Sequence, residues 1–218
     1  YEVLLDVPNL IDYMLVIIYG GNYDGPVYLD NFPNNFYAMR NRTRRDGFRF
    51  VTHDAELSLN DINFDRTQPI MVGDPAAGSS FSESNPQYIW QRLQANAEFR
   101  LLVADHAQKF FFNSGPLTPG ACAARYAART NEISRAVVGE SARWGDAKTE
   151  PPLTRANWLS AVSSLMTGYF PQRSGIVMNQ LVARGLYPTN AAPRFNQHGG
   201  VVTNGFDLSI TVTNGTIF

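Results

Sequence analysis

The chain of 218 residues is poor in lysine, cysteine and histidine: its only lysines are Lys109 and Lys148, its only cysteine is Cys122, and its histidines are His53, His106 and His198. A single cysteine excludes an internal disulfide. Within the alanine-rich residues 120–124, a small buried thiol is expected rather than a nucleophile. The scattered histidines, with no His-x-x-x-His and no cysteine pair, leave no zinc spacing. No Gly-x-Ser-x-Gly occurs, and Gly78-Ser79-Ser80 lacks the strand-to-helix setting of an acyl-transfer nucleophile. No apolar run approaches the roughly 20 residues of a membrane-crossing helix. A net charge of −1 gives no broad positive field for nucleic acid.

What remains is globular text, 44% hydrophobic and 12% aromatic, enough for one substantial core with a small appendage. Residues 10–19 read as a buried helix stopped by Gly20-Gly21, which places Asp24 in the loop just beyond it. Residues 36–41 and 47–52 alternate bulky and polar side chains around Thr43-Arg44-Arg45-Asp46-Gly47, the pattern of a β hairpin. Asn35 opens its first strand and Asp54 closes its second. A period of two puts Phe48, Phe50, Thr52 and Asp54 on one face, and turns His53 the other way to pack against helices. Apolar residues at spacings of three and four then predict helices over 87–95, 99–112, 119–144, 155–169 and 172–185. Thr118-Pro119 and Thr154 are start signals. Trp90, Trp144 and Trp158 read as core anchors rather than sugar platforms. Residues 75–82 read as a loop able to cover a substrate, and residues 206–212 as a strand of a separate β element bounded by Asn204-Gly205 and Asn214-Gly215.

A loop aspartate, an asparagine and an aspartate ending a hairpin strand follow the order used in phosphoryl transfer. There one acid orients the attacking hydroxyl, while the amide and second acid hold magnesium. The same residue types also cap turns for local reasons, so spacing alone leaves both readings open. Glu56 lies two positions beyond Asp54, and two acids so close on one strand do not flank a glycosidic bond from opposite sides. Asp61, Asp65 and Asp74 read as turn caps. The basic run Arg40-Asn41-Arg42-Thr43-Arg44-Arg45 reads as a solvated hairpin tip, its functional version being a contact with an acidic or phosphorylated partner.

The segments GNYD (21–24), NNFYAMRN (34–41), FRFVTHDAELSL (48–59), FRLLVADHAQKFFFNSGPLTP (99–119), RWGD (143–146) and YFPQRSGIVMNQLVARGLYP (169–188) together resemble the C-terminal part of the CotH family of spore-coat-type atypical kinases. The resemblance implies an α+β fold: a mainly helical kinase C-lobe over residues 1–188, with a short β hairpin carrying the site. Residues 189–218 resemble the opening strands of a chitobiase C-terminal-type β-sandwich module. It implies Asp24 as the catalytic-loop acid, Asn35 as the asparagine that binds magnesium and nucleotide, Asp54 as the metal acid and Glu56 as a further metal ligand. The cofactor would be Mg2+ or Mn2+ with ATP.

Two features depart from the family pattern: His53 replaces the usual tryptophan, and residues 27–33 lengthen the loop from Asp24 to Asn35. The nucleotide-clamping lysine and its glutamate are not found upstream, so the chain reads as an inactive fragment of a longer protein, secreted or on a cell surface. The implied partners are a protein with Ser or Thr hydroxyls, neighbouring surface-protein subunits or a glycan. The alternative is a non-catalytic structural or adhesion protein on a pseudokinase scaffold.

Overall fold

Asp6-Val7-Pro8 opens the first helix. The Asp6 carboxylate accepts a hydrogen bond of 3.0 Å from the Asn9 N–H, and Pro8 occupies the first turn, where its missing donor costs nothing. The helix, α1 (Val7–Gly20), ends at Gly21, whose φ of 57° is a left-handed conformation that glycine enters without strain. Leu10, Ile11, Met14, Leu15 and Ile18 are wholly buried. At about 1.5–3 kcal/mol for each such side chain, burial rather than propensity fixes α1 at the centre of the molecule.

The structure, a computed structural model, describes residues 4–28, 32–44, 46–69, 85–214 and 216. After α1 come β1 (Val27–Tyr28), β2 (Phe32–Pro33), β3 (Phe36–Met39) and β4 (Arg49–Thr52). The helices α2 (Pro86–Leu93), α3 (Ala97–Phe111), α4 (Pro119–Ile133), α5 (Ala136–Trp144), α6 (Arg155–Ser164) and α7 (Phe170–Ala183) follow, and then β5 (Arg194–Phe195) and β6 (Ile210–Thr211). The fold is α+β. Helices α2, α3 and α7 pack around α1, and β4 lies across it. Each described sheet is an antiparallel pair: β1 with β2, β3 with β4, and β5 with β6.

The hairpin pairs Phe36 with Thr52 and Met39 with Arg49. Phe50 is the side chain it buries, tilted against Tyr13 and Phe36. Asn9 on α1 fastens the strand from both directions, accepting from the Phe50 N–H at 2.6 Å and donating to the Phe50 carbonyl at 3.3 Å. One face of the hairpin is thereby docked on α1.

Several expectations are corrected. The span 119–144 is two helices rather than one, α4 and α5, parted at Ser134-Arg135. The helices expected over 155–169 and 172–185 run together, because a π segment, Leu165–Tyr169, joins α6 to α7 immediately before Pro171. Proline has no N–H, so a helical ladder can widen there rather than break. Trp90 is a core anchor at 0% exposure, whereas Trp144 is 54% exposed and lies beneath the Arg143 guanidinium. The strand expected over 206–212 is confined to Ile210–Thr211, where it pairs with β5. The loop expected over residues 75–82 lies outside the described residues.

Arg173 of α7, also wholly buried, ties the scaffold to the loops above it. Its guanidinium donates to the carbonyls of Ile18 (2.6 Å), Tyr19 (2.8 Å), Ile62 (2.5 Å) and Phe64 (2.9 Å). The first two are carbonyls at the C-terminal end of α1, where a cation also suits the helix dipole.

Candidate functional site

The chain leaves α1 through Gly21 and turns at once. Asn22, 1% exposed, accepts from the N–H groups of Asp24 (3.1 Å) and Gly25 (3.2 Å), an Asx-type turn that presents the Asp24 side chain. Gly25 packs closely, and a Cβ there would meet the Asn22 amide nitrogen at 3.0 Å, so the amide would have to give way. Tyr23 stacks on Phe64 with ring centres 4.1 Å apart, and its N–H donates to the Leu57 carbonyl. The loop is held from both sides.

Asn35 precedes β3 with φ 52°, and Asp54 follows β4 with φ 47°. Left-handed backbone is tolerated by Asn and Asp better than by other side-chain-bearing residues, and its cost recurs where side chains must be aimed. This backbone corrects the expectation that Asp54 continues the strand alternation: β4 stops at Thr52, and Asp54 is directed by its own turn. His53 is likewise exposed rather than packed on helices, its ring edge-on to Tyr37 at 4.9 Å, while its N–H donates to the Asn35 carbonyl.

The Asn35 amide draws the two acid-bearing loops together. Its Nδ2 donates to Asp24 Oδ2 at 2.8 Å and to the Asp54 carbonyl at 3.3 Å. The second Asp24 oxygen, Oδ1, is buried without a hydrogen-bond partner among the described residues. Burial, and then the negative charge of Asp54, push the Asp24 carboxyl above the usual carboxylate range; Asn35 and Arg66 oppose the shift. Glu56 is also raised, chiefly by a side-chain hydrogen bond with Asp54. The neighbouring Asp54 and Glu56 carboxyls, near a third with an orphaned oxygen, form an oxygen-rich group. That chemistry fits a hard divalent cation, with Asn35, Asp54 and Glu56 as candidate donors. Among the described residues no three or more His, Cys, Asp or Glu side chains gather as a metal site, so the Asn35 amide would be part of any such set.

An apolar cleft of about 380 Å³ adjoins the site and is lined by Thr52, Ala55, Leu59, Tyr126 and Phe170, with Asn22 at its polar edge. None of Asp24, Asn35, Asp54 or Glu56 lines it. Asp54 and Glu56 face solvent instead.

Sequence reasoning named all four of these residues but missed those that hold them. Asn22 carried a legible signal, an amide two positions before the loop acid. Arg66 and Arg173 carried none. Cys122 is buried as expected, and Arg125 Nη2 lies 3.5 Å from its sulfur.

The helical body and the hairpin make an α+β fold in which Asn35 joins the Asp24 side chain to the Asp54 turn. A model of the CotH kinase protein family matches residues 1–176, and the chain belongs to that family, which makes it kinase-like. Kinase-like proteins in general use a nucleotide with a divalent metal and act on proteins. A search of the curated proteins and a search of the solved structures each found no match. No helix among the described residues is long and apolar enough to cross a membrane.

Proposed function

We propose that this chain is the catalytic-loop part of a secreted or surface protein kinase that moves the γ-phosphate of ATP to Ser or Thr hydroxyls. The observation that carries the reading is the Asn35 side chain bridging Asp24 at 2.8 Å and the Asp54 turn at 3.3 Å. Turn-capping asparagines satisfy their own loop, whereas Asn35 joins residues 11 and 19 positions away.

In this reading the Asp24 carboxylate takes up the proton of the incoming hydroxyl as its oxygen attacks the γ-phosphorus, the bond to the bridging oxygen breaks and ADP leaves. A raised carboxyl suits that role, because proton transfer is most efficient when the base's pKa approaches the working pH. Asn35 and Asp54 would hold Mg2+ or Mn2+, and Glu56 would bind a second ion or a water. The metal, when bound, neutralises charge on the phosphates. The protein's share is positioning and electrostatics, with the left-handed turns at Asn35 and Asp54 aiming both groups before substrate arrives. The β5–β6 pair would begin a β-sandwich module.

Manganese broadening of side-chain amide signals tests the site. Titrating Mn2+ with ATP into labelled protein is expected to broaden the Asn35 amide resonances selectively, and Asp54→Ala to abolish the effect. Broadening spread evenly over surface amides, or insensitive to Asp54→Ala, would contradict the assignment.

A further inference from the structure

We propose that Arg66 is the positioning residue of the Asp24 loop, a guanidinium bolt that holds Asp24 against Asn35. The proposal rests on the kinase reading for what Asp24 does, and on geometry alone for what Arg66 does.

Arg66 is 3% exposed, an uncommon place for a cation. Its Nη2 donates to the carbonyls of Gly25 and Val27, each at 3.1 Å, so one nitrogen grips the backbone directly after Asp24. Both acceptors are neutral, and a guanidinium presents its donors in one plane, which fixes the acceptors relative to each other. Its charge also opposes the upward push on Asp24. The segment that carries Arg66 is itself anchored: Arg173 binds the Ile62 and Phe64 carbonyls, and the Phe64 ring stacks on Tyr23. Residues 61–66 thus link the loop following the metal acid to the loop bearing the base. On α1 Arg173 holds the start of that loop, and Arg66 holds its end. A displaced Gly25 carbonyl would swing Asp24 away from the Asn35 amide, and an error of about 1 Å in such a group costs on the order of a hundredfold in rate.

The test compares Arg66→Met, which removes the charge and both hydrogen bonds, with Arg66→Lys, which keeps the charge but not the planar fork. Amide exchange is followed at Asp24 and Gly25, whose N–H groups are tied to Asn22, and at residues 14–18 of α1. In Arg66→Met the two loop amides are expected to exchange about tenfold faster or more, the scale of one lost hydrogen bond to a charged donor, while the α1 amides keep their protection. In the full-length protein, kcat for phosphoryl transfer falls at least as much with KM for ATP unchanged, and Arg66→Lys restores part of both. Loop amides unchanged, or loop and α1 amides accelerating together, would overturn the proposal and leave Arg66 a structural residue. If Arg66→Met does not fold, the same comparison on Arg66→Lys decides. If the wild-type protein transfers no phosphate, the kinase reading fails while the exchange result still judges the clamp.

Discussion

Asp24 is held where its charged form is disfavoured, and that has a measurable sign. A carboxyl whose folded pKa lies above its unfolded value binds its proton more tightly in the folded state. Its contribution is therefore full below the ordinary carboxylate value near 4 and is lost as pH rises through the raised one. Thermal melts from pH 3 to pH 8 should show wild-type stability eroding across that window, and Asp24→Asn should remove the erosion and be the more stable protein at pH 7. A variant no more stable than wild type at pH 7 would mean that the site does not strain its acid.

The buried arginine of α7 bears the opposite risk. Arg173→Met takes the guanidinium donor from the Ile62 and Phe64 carbonyls, while Tyr19 keeps the Tyr169 hydroxyl and Ile18 the Gly21 N–H. At about 1–3 kcal/mol for each buried acceptor left unpaired, the loss should reach roughly 2 kcal/mol or more, read from the urea midpoint. Neither Arg66 nor Arg173 was legible in the sequence. An arginine that binds backbone carbonyls leaves no partner residue type to find, and its acceptors lie 39 to 155 positions away. Asp24, Asn35 and Asp54 could be named as candidates because their order along the chain is the order that phosphoryl transfer uses.

The hairpin is the element that presents the site, and its two ends differ in what they tolerate. A Cβ on Gly47 would lie 2.2 Å from the Leu5 carbonyl carbon and 2.4 Å from the Asp6 nitrogen. That close approach accompanies the backbone bonds between Leu4, Asp6 and Phe48. Gly47→Ala should therefore push the hairpin off the start of α1 and cost about 2–3 kcal/mol, visible in chemical denaturation. At the tip, Arg42 and Arg44 are exposed, and Asn41 shapes the turn by accepting from the Thr43 and Arg44 N–H groups. Arg42→Ala with Arg44→Ala should leave the midpoint within about 0.5 kcal/mol, as for a solvated face.

Period-two alternation located both strands of this hairpin and their site-side ends at Phe36 and Thr52, but pairing stops short of the tip, at Met39 and Arg49, and Asp54 leaves the alternation because its backbone changes hand. Helix positions were legible wherever an apolar face met the core. The break at Ser134-Arg135 has neither proline nor glycine to announce it, and the π segment before Pro171 replaced the boundary that a proline ordinarily marks.

At the scale of the whole molecule, the burial of α1 converts sequence into function. A central apolar helix ends beneath one loop, α7 locks that end with Arg173, and the hairpin returns over α1 to bring Asn35 and Asp54 to Asp24. The α+β class and family were legible because the motifs span the helical body as well as the site. The phosphoryl-transfer role is tested most directly in the full-length protein containing this chain, by following labelled γ-phosphate from ATP to the protein itself and to a general protein substrate in Mg2+ or Mn2+. Metal-dependent transfer that falls by about a thousandfold or more in both Asp24→Ala and Asp54→Ala is the expected result. Undiminished transfer in either variant, or no transfer and no ATP binding by the wild-type protein, would contradict it and leave a scaffold built on a kinase fold.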